Sequence, residues 1–128
     1  MKSVLPIGLF VVFAAAPALA APYEGRWAQE PEWCANDADS GTEEIAIEIS
    51  GKTIRYYEGT CEMASIEDIG VWDAAWKAHL VCTTEDETVE FDMIMAAGGG
   101  KPFGEPRFLT QVHMDEGFVR ILHLCPPR

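Results

Sequence analysis

The chain has 128 residues, with 9 Lys and Arg against 21 Asp and Glu, a formal net charge of −12 and 48% hydrophobic residues. This acidic balance speaks against nucleic acid and anionic membrane surfaces as partners, since both recruit positive charge, and it would steer a basic protein towards the chain. The length suits one domain with a modest core, and a second is not expected.

Residues 1–20 read as an export signal. Lys2 supplies a positive start, residues 4–16 an apolar run, and Ala18-Leu19-Ala20 a small-x-small cleavage site. Pro6, Gly8 and Pro17 break the run, which is too short for a membrane anchor. The expectation is a single domain, residues 21–128, released after Ala20 into the periplasm or beyond, monomeric and not inserted in a membrane. Cleavage leaves 8 Lys and Arg against 21 Asp and Glu, a net charge of about −13.

From residue 21 onward apolar and polar residues alternate at period two, the pattern of antiparallel strands. A short first strand is expected over residues 23–28. Over residues 44–50, Ile45, Ile47 and Ile49 point one way and Ala46 and Glu48 the other, and Ser50-Gly51-Lys52 turns into the second arm of a hairpin, residues 53–59. A short helical turn is read at residues 65–69. Over residues 71–82, Trp72, Ala74, Trp76, Ala78, Leu80 and Cys82 make an apolar row opposite Asp73, Lys77 and His79. Beyond Glu85-Asp86-Glu87, the row Val89, Phe91, Met93 and Met95 lines the next strand. Residues 98–106 form a glycine- and proline-rich loop. A last hairpin, residues 107–114 and 118–124, crosses Asp115-Glu116-Gly117 and stops at Pro126 and Pro127. The pattern predicts an all-β fold, a small antiparallel meander barrel of about seven to eight strands. A two-sheet β-sandwich is the alternative, because period two does not separate them.

Four cysteines, Cys34, Cys61, Cys82 and Cys125, form no Cys-x-x-Cys pair and predict two disulfides rather than a metal or redox site. Cys34 with Cys61 and Cys82 with Cys125 is the expected pairing, each bond tying a loop or chain end to a neighbouring strand. His79 and His113 read as outward-facing and His123 as inward with Cys125, so no histidine cluster is expected. Met93 and Met95 continue an apolar row and read as core rather than as copper ligands. The acidic run at residues 36–44 concentrates oxygen ligands, yet Gly41 stands fifth from Asp37, where an EF-hand loop places its glycine sixth. No Gly-x-Ser-x-Gly elbow, phosphate loop or distinctive carboxylate pair is present. Neither a cofactor, a metal nor catalysis is therefore expected.

What remains is binding. An aromatic residue on a cysteine-tethered loop is an anchor for a protein partner, which selects Trp33 with Asp37 and Asp39, and, on the second loop, Lys101 and Phe103. The expected function is a protein-binding inhibitor or adaptor, its partner basic or hydrolytic. A carrier of a small apolar ligand is the alternative, with a cavity lined by Trp72, Trp76, Phe91 and Met93, although small barrels commonly fill their interior with side chains. An envelope structural protein is the third reading.

The stretch Tyr23-Glu24-Gly25-Arg26-Trp27 puts Gly-x-Trp at the start of the first strand. It resembles the opening of lipocalin-like (calycin) barrels, in which the tryptophan plugs one end, and in a short exported chain it looks most like the periplasmic barrel inhibitors of secreted metalloproteases. The resemblance implies a barrel and protease inhibition. Those inhibitors carry a single disulfide and insert the segment ahead of the barrel into the protease cleft, whereas here only residues 21–24 stand between the expected cleavage point and the motif. Periplasmic lysozyme inhibitors are the second comparison. Their Ser-Gly-x-x-Tyr motif is not matched, since Ser50-Gly51 is followed by Tyr56, two positions too far.

Overall fold

The structure, a computed structural model, describes residues 21–70, 74–99 and 107–127. The expected export segment, Trp72, Lys101 and Phe103 lie outside them. The described chain forms strands β1 (Gly25–Ala28), β2 (Ile47–Ser50), β3 (Thr53–Tyr56), β4 (Gly59–Asp68), β5 (Ala74–Thr83), β6 (Thr88–Gly98), β7 (Phe108–His113) and β8 (Val119–Leu124). Each pairs antiparallel with the next, and β1 pairs with β8 through Trp27↔Leu124 and Ala28↔His123, so the sheet is a closed eight-stranded barrel and not a sandwich. A meander alternates its connections between two ends. The β2–β3 turn marks the lower end; the 29–46 loop and the β3–β4, β5–β6 and β7–β8 turns mark the upper.

Alternation explains most of the wall. Ile47, Ile49, Ile54, Leu80, Met93, Met95, Leu109 and Leu122 point inward and are buried, while Glu48, Glu62 and Lys77 point out. Gly51 sits at φ 59°, a left-handed conformation that lets the β2–β3 turn close tightly. At the lower end the fully buried Trp27 donates its indole N–H to the Tyr23 carbonyl at 2.9 Å. The Tyr23 ring in turn meets Trp76 edge-on at 4.9 Å between centroids. These aromatics close the base of the barrel.

Four expectations are corrected. Residues 65–69 are not a helical turn: residues 65–68 belong to β4, a ten-residue strand that brings the expected seven to eight strands to eight. The register shifts between Met63 and Ser65. This bulge turns Ile66, rather than Ser65, towards the core after Cys61 and Met63. The disulfides are Cys34–Cys125 and Cys61–Cys82. Cys61 and Cys82 are direct register partners on β4 and β5, so their inward side chains already meet across the ladder. Cys125 points to the outside of the wall, where the 3-10 turn Pro31–Ala35 brings Cys34 over it and covers Ala28 and Ala46.

Two histidines also change side. Leu109 and Gln111 are fully buried, so His113, which shares their parity, turns inward; its ring lies between Phe91 at 5.0 Å and Phe118 at 4.0 Å. On β8 the inward row is Arg120, Leu122 and Leu124, while Val119 and Ile121 are exposed, which puts His123 on the outside against Phe108.

Candidate functional site

The 29–46 loop folds back over the upper end and the outer wall of β1 to β3. Arg26, on the outer row of β1, donates from one guanidinium nitrogen to the carbonyls of Cys34 at 2.8 Å and Asn36 at 3.3 Å. With the Cys34–Cys125 bond, this fixes the loop at its aromatic end. Its acidic end holds itself: the Ser40 hydroxyl donates to Asp37 Oδ1 at 3.2 Å, the Asp39 amide donates to the same oxygen at 3.1 Å, and Asp39 stands 3.9 Å from Arg55. The sequence-predicted contacts therefore separate. Trp33 stands at the mouth of the barrel, while Asp37 and Asp39 lie over its side in a shallow polar depression with Arg26, Glu48 and Arg55.

The cavity candidates separate as well. Met93 is fully buried in mid-barrel, Trp76 packs at the lower end and Phe91 stacks on His113 at the upper end. Side chains fill the space between them, as in other small barrels. Among the described residues no group of three or more His, Cys, Asp or Glu could hold a metal ion.

Two clefts open at the upper end. One, of about 220 Å³, is lined by the buried Trp27, Ile47 and Leu122 together with Trp33, Glu43, Tyr56, Tyr57 and Arg120. The other, of about 370 Å³, lies over Phe91, His113 and Phe118 and is edged by Glu87, Glu90, Asp115 and Glu116. The inward rows of β3, β7 and β8 bring a polar cluster between them. Gln111 is 0% exposed and faces Arg120 across the β7–β8 ladder. The Tyr56 hydroxyl, both polar atoms of the Gln111 amide and His113 Nε2 are buried without a hydrogen-bond partner among the described residues. Burial pushes the Tyr56 hydroxyl up to about 12, outweighing the Arg120 charge and the adjoining Gln111, which lacks the geometry of a hydrogen bond to it. Burial, helped by Arg120, holds His113 below the usual histidine range. The cluster is thus a neutral hydroxyl, an amide and an uncharged imidazole around one cation.

On the outer wall, His79 bonds through Nδ1 to Asp92 at 2.8 Å and lies 3.7 Å from Glu90, and the Asp92 bond raises its pKa. Below this acidic group the outer rows of β6, β7 and β8 carry no Asp, Glu, Lys or Arg from Ile94 downward. Val119 and Ile121, 60% and 57% exposed, are the most open large apolar residues described, and Phe108 stands beside them at 38%.

Sequence reasoning passed over both the polar cluster and this apolar wall, for one reason. In β7 and β8 apolar residues occupy both rows, Phe108 and Val112 against Leu109, Val119 and Ile121 against Leu122 and Leu124, so alternation gives no direction. That two-sided pattern was itself the available signal of an exposed apolar face. No family model, no curated protein and no solved structure matches the chain.

Proposed function

We propose that the chain is an exported, non-catalytic binding module that docks another protein on the outer face of β6, β7 and β8. The observation that carries this reading is the charge-free strip around Val119 and Ile121 on a chain of net charge −12. Contiguous exposed apolar surface on a small acidic domain suits a protein interface. Glu90, Asp92 and Glu116 stand near its upper border, which suits a partner with basic groups around an apolar centre. The side-chain-filled interior argues against an extended apolar cargo. Two disulfides suit an oxidising compartment such as the periplasm.

Cationic secreted hydrolases, lysozymes and proteases, are the first partners to try, in keeping with the inhibitor reading. Immobilised protein should retain one of them in a salt-dependent manner, and Ile121→Lys should weaken retention by at least about tenfold. Retention unchanged in Ile121→Lys would remove the β6–β8 face from the proposal.

A further inference from the structure

The cluster between the two upper clefts presents polar groups that find nothing to bond within the described chain. An unsatisfied buried amide or hydroxyl costs free energy comparable to a lost hydrogen bond, and most such groups in folded proteins are paired. Here the Tyr56 hydroxyl, both Gln111 amide atoms and His113 Nε2 are unpaired together. Arg120 adds a charge with the same character. Among the described residues it has no carboxylate within ion-pair distance, in a chain with 21 of them, and its guanidinium carbon stands 5.4 Å from the centre of the Phe118 ring. Arg26 and Arg55, by contrast, bond carbonyls and Asp39.

Arg120 and Tyr56 both line the cleft of about 220 Å³, whose remaining walls include Trp33, Ile47 and Leu122. The group that satisfies a guanidinium, a hydroxyl held protonated and an amide N–H at once is a planar anion with several lone pairs, and a carboxylate supplies them. The apolar walls suit an uncharged body behind that head. Glu43 at the mouth and the net negative field disfavour a second negative charge on the ligand. We propose that this upper cleft is a binding site for a small free monocarboxylic acid, its carboxylate on Arg120 and the Tyr56 hydroxyl with Gln111 behind, its apolar body between Trp33 and Leu122. The site is separate from the β6–β8 outer face and does not depend on the docking reading.

Calorimetric titration of the full domain with acetate, hexanoate, benzoate and phenylacetate, and with the uncharged phenylacetamide, tests this. At least one of the larger acids is expected to bind saturably at one site, with phenylacetamide at least about tenfold weaker than phenylacetate. Arg120→Gln should weaken the acid at least about tenfold, and Tyr56→Phe, which removes only the hydroxyl, several-fold, while Ile121→Lys on the outer wall leaves it unchanged. Circular dichroism establishes that each variant is folded, and Tyr56→Phe decides the matter if Arg120→Gln is not. The proposal is overturned if none of the acids binds up to about 10 mM, if acid and amide bind alike, or if Tyr56→Phe and every folded Arg120 variant bind as the unaltered chain does. In those cases the cluster is satisfied by solvent.

Discussion

Cys34 and Cys125 are 91 residues apart in sequence and 5.5 Å apart at Cα, and their bond joins the 3-10 turn on the outside of the wall to the residue just after β8. Cys61 and Cys82, by contrast, close a separation of only 21 residues between strands already in register. On the chain-entropy account the longer loop contributes about 4.6 kcal/mol and the shorter about 3.4 kcal/mol. Replacing Cys34 and Cys125 by Ser should therefore lower the guanidinium midpoint more than replacing Cys61 and Cys82. The opposite order would mean that ladder geometry, not loop closure, dominates.

Gly25 starts β1 at φ 138°, and a Cβ there would stand 3.4 Å from Leu124 Cδ1 and 3.7 Å from the Trp27 indole nitrogen. That backbone conformation is open to glycine and strained for L-residues. Gly25→Ala is expected to cost about 1–3 kcal/mol and to disturb the Trp27 to Tyr23 bond. Near-ultraviolet circular dichroism and a denaturation curve would register both effects.

The three tyrosines should all ionise late, and Tyr56 last. Tyr56, raised to about 12 by burial, keeps its proton after it would ionise in the unfolded chain near 10. Its folded pKa lies above the unfolded one, so its contribution to stability is complete below about pH 10 and is lost as the pH rises towards 12. Tyr23, raised by burial and by Glu24, adds to the same trend. Spectrophotometric titration of the folded protein should show delayed ionisation, with stability declining over the same window.

His79 and His113 should move in opposite directions. The Asp92 bond raises His79, so its contribution is present below about pH 6.5 and lost as the pH rises through its folded pKa. Burial lowers His113, so its contribution is present above about pH 6.5 and lost as the pH falls through its folded value. Proton NMR titration of the imidazole resonances should give two midpoints on either side of the ordinary value, and Asp92→Asn should bring the higher one down.

The fold was legible wherever one face of a strand is charged. The inward rows of residues 44–50, 74–82 and 89–95 follow directly from alternation, and the filled interior around Met93 and Met95 matches their reading as core. Alternation failed at three places. In β4 a bulge shifts the row from Met63 to Ile66, which from sequence alone resembles the end of a strand. In β8 the two apolar rows left the expected Cys82–Cys125 bond as the only guide to direction; with the pairing wrong, Cys125 was taken as inward and His123 was reversed with it. Cys125 is buried, but by the 3-10 turn outside the wall. In β7, Gln111 and His113 look like solvent-facing residues, and only barrel closure turns them onto Tyr56 and Arg120. Trp33 was legible as part of a cysteine-tethered loop, which the Cys34–Cys125 bond provides; its separation from Asp37 and Asp39 depends on the course of the loop, which composition does not encode.

The docking proposal is tested most directly by placing a photo-crosslinking residue at Ile121, and in a parallel protein at Glu62 on the outer row of β4, across the barrel from β8, and irradiating cells that export each one. A discrete crosslink to another protein from position 121, absent from position 62 and reduced at raised ionic strength, is the predicted result. Equal labelling from both positions, or no protein adduct from position 121, would contradict it.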